Sequence, residues 1–285
     1  MPALFKPATE SEEADAQLLA TRRRVPSRRL AYYGSLAVVV LMTLLLAILG
    51  FQASPNETAG SMCTGSSSKQ VAVYFGNGCF WERQWAYFNV EQYPPFSRPA
   101  EQATALVGYA GGTGRAGATV CYHCAGGCSS DYTELGHAEV VQVLLDTNKS
   151  EEQIRALAAN FFSSFTGPDG ARQRPDPMDI GAPYRSVIGL PGGASSPLFP
   201  QVQQANAHGM LLVASQSGHN PDHPNTVYVY DTAAFPFFRG ERYHQYHSNF
   251  FWSEGMPYPS KYIHELWRTR CDFRPVDGCP EGSHH

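Results

Sequence analysis

The chain has 285 residues, of which 43% are hydrophobic and 16% are charged, so it can bury a substantial core. The formal net charge is -4 and the isoelectric point is about 6.2, which leaves no excess of lysine and arginine to neutralise the phosphates of a nucleic acid. We therefore expect one globular domain and no nucleic-acid partner.

The N-terminal part of the chain has the pattern of a membrane anchor. Residues 1–29 are polar and rich in arginine, which is typical of a disordered tail. Residues 30–51 carry no charge and are long enough to cross a hydrocarbon core of about 30 Å as a helix. The arginines before this run predict a cytoplasmic N-terminus and thus a type II membrane protein. A cleaved signal peptide is the alternative interpretation, although its apolar stretch would usually be shorter.

The rest of the chain would then lie in the lumen of the secretory pathway or outside the cell. Residues 52–69 are rich in Ser, Gly and Thr and are expected to form a flexible tether, and residues 70–285 the folded domain. Two glycosylation triplets, at Asn56 and Asn148, fall on this translocated side. In an oxidising compartment the seven cysteines would by default form disulfides with one left over.

Strand-like runs mixed with helical patterns predict an α+β fold. A first helix is expected after the glycine turn that ends at Gly78. A second helix is expected to begin at a capping box formed by Ser150 and Gln153 and to end at Gly167. The predicted strands cover residues 71–75, 104–109, 138–145, 184–188, 210–215 and 226–230.

Cys79 directly follows the glycine turn and would open the first helix. Backbone N–H groups and the positive end of the dipole at a helix start lower the pKa of a nearby thiol, which favours a reactive thiolate. A buried structural cysteine, or half of a disulfide, is the competing interpretation. The aromatic pair Phe80 and Trp81 could belong to the core or line a pocket beside the sulfur.

Five motifs occur in order: Gly78-Cys79-Phe80-Trp81, Gly108-Tyr109-Ala110-Gly111-Gly112, Gly136-His137-Ala138-Glu139-Val140-Val141, Asp179-Ile180-Gly181 with Tyr184-Arg185-Ser186, and Tyr243-His244-Gln245. Together they resemble the motifs of the A-type peptide methionine sulfoxide reductases. The resemblance covers roughly residues 71 to 250, and the first and third motifs are its most specific part.

The resemblance implies an α+β domain with a mixed sheet, flanking helices and a ferredoxin-like core. It also implies reduction of the S epimer of methionine sulfoxide, free or in proteins, as a repair reaction in oxidative stress. Cys79 would attack the sulfoxide sulfur, and Glu139 would donate a proton to the departing oxygen. Such an acid must be buried and neutral, because a sulfoxide oxygen leaves poorly unless it is protonated. Without the resemblance, Glu139 could equally be an edge-strand residue facing solvent.

The resemblance assigns supporting roles to further side chains. Asp179 and Tyr184 would support the sulfoxide oxygen and its hydrogen-bond network, and Phe80 and Trp81 would cradle the substrate methyl group. A substrate-binding tyrosine is also expected before the third motif. Tyr132 is our assignment for it, with Tyr122 left open as the alternative.

Cys271 and Cys279 resemble the family's recycling cysteines, which would turn the sulfenic acid on Cys79 into a disulfide. A plain structural disulfide between them is the alternative. A thioredoxin-like dithiol protein would then supply electrons, and no metal or organic cofactor is needed.

A second group of cysteines departs from the family pattern. Cys121, Cys124 and Cys128 crowd around His123, which permits a zinc site, a disulfide with one cysteine left over, or a resolving thiol. Cys63, in the tether, would be unpaired or bonded to another molecule.

One position next to the first motif also departs from the family. Glu82 stands where the family usually has glycine, and its charge could alter access to the pocket. Two other functions remain open: a non-catalytic domain that binds methionine-rich proteins, and a domain for general thiol-disulfide exchange. Replacing Cys79 by Ser would abolish sulfoxide reduction but leave exchange by the other thiols.

Overall fold

The computed structural model describes residues 69–114, 117–123, 131–165, 176, 178–247, 258, 266, 270 and 273–280. The chain divides into the units Met1–Thr58 and Ala59–His285, and every described residue belongs to the second. The predicted tail, the predicted span at residues 30–51 and nearly all of the tether lie outside the described residues. Within the described ranges, no helix is long and apolar enough to cross a membrane.

The described strands form one mixed sheet. Their order is β5-β6-β4-β1-β3-β2-β7. β5 and β4 pair in parallel with β6, and the remaining pairs are antiparallel. The strands are β1 (Gln70–Gly76), β2 (Leu106–Ala110), β3 (Ala138–Asp146), β4 (Val187–Leu190), β5 (Leu211–Ala214), β6 (Thr226–Asp231) and β7 (Phe238–Arg239).

Two helices connect the central strands. Helix α1 (Phe80–Gln92) joins β1 to β2, and helix α2 (Ser150–Ser163) joins β3 to β4. With the spatial order β4-β1-β3-β2, this is the ferredoxin-like arrangement. The prediction of an α+β fold with a mixed sheet is confirmed. A short helix α3 (Phe199–Ala205) follows β4.

The alternation of side chains along β1 and β3 decides which residues face the helices. Val73 and Phe75 of β1 belong to the same buried cluster as the apolar faces of α1 and α2, whereas Tyr74 lies in the cluster on the other side of the sheet. In β3, Val141 and Val143 face the helices. The odd-numbered residues of β3 therefore lie beneath α1.

Two local predictions are wrong. The predicted capping box does not form, because α2 has Lys149 at its N-cap and no side-chain cap, and the Gln153 side chain instead accepts the N–H of Asp146 over 2.7 Å. The predicted strand at 184–188 begins only at Val187, and Tyr184 ends a 3₁₀ turn, Ala182–Tyr184. The proline at the second position of that turn fixes a φ that suits a helical turn.

Candidate active site

Cys79 lies where β1 passes into α1. Gly78 has a φ of 113°, which few residues other than glycine adopt, and this turn delivers Cys79 as the N-cap residue of the helix. The backbone N–H groups of Trp81 and Glu82 face the thiol. The predicted placement of Cys79 at the start of a helix is confirmed.

Glu139 lies in the second position of β3, directly beneath that helix start. Its strand is central in the sheet, between β1 and β2, and its side chain is 2% exposed. The alternation of β3 places it on the same side as Val141, facing α1. The end of β1 approaches β3 closely here. A Cβ on Gly76 would lie 2.3 Å from the Glu139 carbonyl oxygen, so only glycine fits at this position. The solvent-facing alternative for Glu139 is wrong.

The Glu139 carboxyl group has a defined partner for each oxygen. Oε2 accepts the backbone N–H of Phe80 over 2.9 Å, and Oε1 accepts the Tyr132 hydroxyl over 3.2 Å. Burial raises the pKa of Glu139 to about 8, against the lowering effect of these two hydrogen bonds. The group is therefore mostly a neutral acid at pH 7, next to the residue that carries the thiol.

The pKa of the Cys79 thiol is raised, which corrects the expectation of a lowered one. Burial is the largest cause, and the Glu139 and Asp179 charges add to it, while the N–H groups of the helix start lower the pKa. Because Glu139 is mostly neutral at pH 7, its contribution is small there. A half-buried thiol next to two acids keeps its proton at pH 7.

Asp179 and Tyr184 approach the thiol from the segment before β4. Asp179 Oδ2 accepts the backbone N–H of Cys79 over 2.7 Å, and Asp179 is 7% exposed. Burial raises the pKa of the half-buried Tyr184, and Glu139, Asp179 and Cys79 add to the effect, so its phenol shares their surroundings. The four residues predicted as catalytic thus lie together.

Aromatic rings enclose the start of α1. Phe80 packs against His244 at 5.2 Å and Tyr122 at 6.3 Å between ring centroids. Trp81 stacks on His247 at 3.9 Å. The rings of Phe80 and Trp81 therefore belong to one aromatic wall beside the thiol, a surface suited to an apolar group.

The segment that carries the fifth motif is attached to the sheet by Gln245. Its side-chain amide accepts the N–H of Val107 over 3.0 Å and donates to the carbonyl of the same residue over 2.9 Å. This pairing sets His244 between Phe80 and Tyr122. His244 is 6% exposed, and burial lowers its pKa to about 3, so it is neutral and serves as a ring in the wall.

The unusual Glu82 is paired locally. Its carboxylate lies 2.6 Å from the guanidinium of Arg83, and both side chains are largely buried. The charge that distinguishes this chain at that position is thus partly neutralised beside the wall.

Cys121 and Cys279 form a disulfide with an S–S distance of 2.06 Å. This pairing was not among the alternatives drawn from the sequence, because nothing in the sequence brings two residues 158 positions apart together. The Glu241 carboxylate and the two sulfurs lie within 4.8 Å of one another, but bonded sulfurs are not thiolate ligands, so this cluster does not hold a metal in the disulfide state. Cys63, Cys124, Cys128 and Cys271 lie outside the described residues.

Two residues at the site were missed by sequence reasoning about single side chains. Tyr109 is the pairing partner of Glu139 across β2 and β3, and its ring stacks on Tyr132 at 4.8 Å. Glu241 is 1% exposed and accepts the Tyr109 hydroxyl over 2.6 Å. The sequence did offer a signal for each residue: Tyr109 lies inside the second motif, and Glu241 lies two residues before the fifth.

The fold and the site together define an α+β domain in which a cysteine at a helix start lies beside a buried acid and an aromatic wall. The model of the peptide methionine sulfoxide reductase family matches residues 71–255. The chain belongs to this family.

Curated relatives are similar over part of their length. The chain is 34% identical over 130 residues to the peptide methionine sulfoxide reductase MsrA of Xanthomonas campestris pv. campestris (strain 8004), a match that covers 45% of this chain and 50% of that protein. It is 28% identical over 187 residues to MsrA of Vibrio vulnificus (strain CMCP6), covering 65% and 75%. The chain thus spans half the length of the Xanthomonas protein it matches.

Solved structures with a partial likeness include methionine sulfoxide reductase A of Corynebacterium diphtheriae, at 19% identity and a TM-score of 0.39 over 64% of this chain and 74% of that one. Mxr1 from Saccharomyces cerevisiae in reduced form is also similar, at 19% identity and a TM-score of 0.36 over 64% and 85%.

Proposed function

We propose that this protein reduces methionine S-sulfoxide, free or within proteins, to methionine. The observation that carries the proposal is the placement of a neutral buried acid, Glu139, on the backbone N–H of the residue that follows the Cys79 thiol. The family membership supports the same reaction.

In the proposed reaction the Cys79 sulfur attacks the sulfoxide sulfur. Glu139 gives its proton to the sulfoxide oxygen, and the thiol proton of Cys79 replaces it on Glu139. The S–O bond of the substrate and the new bond between the two sulfurs then break, the hydroxyl passes to the Cys79 sulfur to give a sulfenic acid, and methionine leaves as the thioether. The sulfur of the substrate is reduced by two electrons and the Cys79 sulfur is oxidised by two.

The supporting residues position the thiol and the substrate. Asp179 fixes the Cys79 backbone, and Tyr184 and Tyr132 would direct hydroxyl groups toward the sulfoxide oxygen. The aromatic wall around Phe80 and Trp81 would hold the methyl group, which an apolar surface accepts without loss of hydrogen bonds.

Recycling would follow by attack of a second thiol on the sulfenic acid, with release of water. We propose Cys271 and Cys279 for this step. Because Cys279 is bonded to Cys121, its thiol becomes available only when that disulfide is reduced or exchanged. A thioredoxin-like dithiol protein would close the cycle by reducing the resulting disulfide.

The location is a separate proposal, supported by sequence alone. The uncharged run at 30–51 and the arginines before it favour an anchor with the catalytic domain in the lumen or outside the cell. Asn148 lies in an exposed turn between β3 and α2, where a glycan would be accommodated. Glycosidase treatment of membrane fractions would test this. A glycosidase-sensitive mass that is present in the wild type and absent in Asn148→Gln would mean that residue 148 carries a glycan, which requires translocation of the domain.

The reaction is tested with the purified full-length chain in detergent, given the separate S and R epimers of a methionine sulfoxide peptide and excess dithiothreitol. We expect turnover of the S epimer alone, lost in Cys79→Ser. A wild type that does not reduce the sulfoxide, together with thiol-disulfide exchange that persists in Cys79→Ser, would instead favour a domain for general exchange. A folded wild type that turns over neither epimer would contradict the proposal.

A further inference from the structure

Glu241 holds two tyrosines at once, and a third tyrosine lies between them. Its Oε2 accepts the hydroxyl of Tyr109 over 2.6 Å, and its Oε1 accepts the backbone N–H of Tyr122 over 2.7 Å. The ring of Tyr132 stacks on Tyr109 at 4.8 Å and on Tyr122 at 5.3 Å, with interplanar angles of 25° and 20°. One carboxylate therefore holds the hydroxyl of Tyr109 and the backbone of Tyr122, whose rings lie on either side of Tyr132.

The Tyr132 hydroxyl donates to Glu139 Oε1, so its ring position decides whether that hydrogen bond can form. A stacked ring that slides by about 1 Å would lose a hydrogen bond already 3.2 Å long. Tyr109 is 0% exposed, Tyr132 4% and Glu241 1%, so water is not at hand to replace the lost partners.

We propose that Glu241 is a positioning residue for the reductase reaction, acting through Tyr109 and Tyr122 to hold the Tyr132 hydroxyl on the acid Glu139. The inference rests on the proposed function for its kinetic consequence but not for its geometry. Glu241 reaches the site through its hydrogen bonds to Tyr109 and Tyr122, and its effect on Glu139 passes through the rings stacked on Tyr132.

The hydrogen bond from Tyr132 favours the ionised form of Glu139 and so lowers its pKa, against the larger effect of burial. Losing it should move the protonation of Glu139 to higher pH. Several other titratable groups interact with Glu139: Cys79, Asp179, Tyr109, Tyr122 and Tyr184. Of these, Tyr109 loses the acceptor of its hydroxyl in Glu241→Ala, and Tyr109→Phe measures that contribution separately.

The test compares Glu241→Ala with Glu241→Gln and Tyr109→Phe in the full-length chain. The glutamine amide can still accept the Tyr122 N–H and donate to the Tyr109 oxygen, so Glu241→Gln is the matched control. The readout is the pH midpoint of the Glu139 carboxyl stretch in infrared difference spectra, assigned by its absence in Glu139→Gln. This readout needs no turnover, so it separates the positioning claim from the claim of reductase activity.

We expect Glu241→Ala to raise the midpoint by roughly half to one pH unit, the size of one lost hydrogen bond to the ionised form. Tyr109→Phe should move it less and in the same direction, and Glu241→Gln should restore it. In a Tyr132→Phe background, Glu241→Ala should cause no further shift, because the hydroxyl it positions is already gone. The kcat for the S epimer should fall about tenfold in Glu241→Ala, with KM changed much less.

An unchanged midpoint in a folded Glu241→Ala protein would overturn the proposal. So would an equal shift in the Tyr132→Phe background. Should Glu241→Ala fail to fold, Tyr109→Phe, which removes one hydroxyl and keeps the ring, decides the question by the same midpoint.

Discussion

The backbone N–H of Phe80 donates to Glu139 Oε2 over 2.9 Å, which joins the first turn of the helix after the candidate nucleophile to the central strand that carries the acid. A main-chain donor cannot rotate away as a side chain can, so the distance between the thiol and the acid is set by the fold itself. Predictions about catalysis and about stability both follow from this link.

Replacing Glu139 by Gln keeps the shape of the side chain but removes the transferable proton. We expect kcat/KM for the S epimer to fall by about 10² to 10⁴, the usual contribution of a positioned general acid. Glu134→Gln is the matched control, because Glu134 is exposed and in the turn just before β3. In the wild type, kcat/KM should decline as the pH rises through about 8, where Glu139 loses its proton. A profile that rises through this range would contradict the role of acid.

Glu139 should also make folding stability depend on pH. Its pKa is raised from 4.5 to about 8 in the folded protein, so between these values the unfolded chain has released the proton that the folded chain still binds. The free energy of unfolding should therefore fall with rising pH across this window and level off above 8, by a few kcal/mol in total. Urea titrations at pH 5 and pH 8 measure this fall as the difference in the free energy of unfolding between the wild type and Glu139→Gln. The contributions of titratable groups common to the two proteins cancel in that difference. An equal difference at the two pH values would rule out a buried, neutral Glu139.

Two conservative substitutions decide which tyrosine hydroxyl supports the acid Glu139. Tyr132→Phe removes the hydroxyl that binds Glu139 but keeps the stacked ring, so the activity should fall roughly tenfold and the alkaline limb of the pH profile should move upward. Tyr122→Phe keeps both its ring and the N–H that binds Glu241, so a smaller effect is expected. A larger loss in Tyr122→Phe would instead assign the role of the acid's partner to Tyr122.

The Cys121–Cys279 disulfide closes a loop across a sequence separation of 158, and the chain-entropy model gives such a cross-link about 2 to 5 kcal/mol of stability. Cys121→Ser and Cys279→Ser should each lower the free energy of unfolding by the same amount, and the double variant should lose no more than either. Chemical unfolding under non-reducing conditions tests this, and added dithiothreitol should remove the difference from wild type. Additive losses would mean that the two sulfurs are not bonded to each other.

A separate ion pair supports the helix side of the sheet. Glu91 is 0% exposed and accepts Arg98 over 2.5 Å, and Arg98 also reaches Asp146 over 3.0 Å. Arg98→Met would leave the Glu91 carboxylate buried without this cation and should cost about 3 to 5 kcal/mol. The exposed Arg155, replaced in the same way, should change the stability by less than about 1 kcal/mol. Equal effects from the two substitutions would contradict this account.

Local patterns in the sequence were sufficient for the elements that depend on neighbouring residues. The glycine turn before Cys79 and the run rich in Val and Leu at 138–145 predicted a helix start and a strand at their observed places. The capping box failed because Gln153 has a better partner in Asp146, which precedes the helix. The local capping preference was therefore outweighed by a hydrogen bond between β3 and α2.

The sequence by itself determined the family, the order of the strands along the chain and the candidate residues Cys79, Glu139, Asp179 and Tyr184, since each depends on residue types and their spacing along the chain. Only the tertiary structure decided that the thiol pKa is raised, that Cys121 pairs with Cys279, and that Glu241 accepts the Tyr109 hydroxyl and the Tyr122 backbone N–H on either side of Tyr132. Each of these depends on burial and on contacts between residues far apart in the chain, and the free energy of a charge or a disulfide is set by the surroundings that folding assembles.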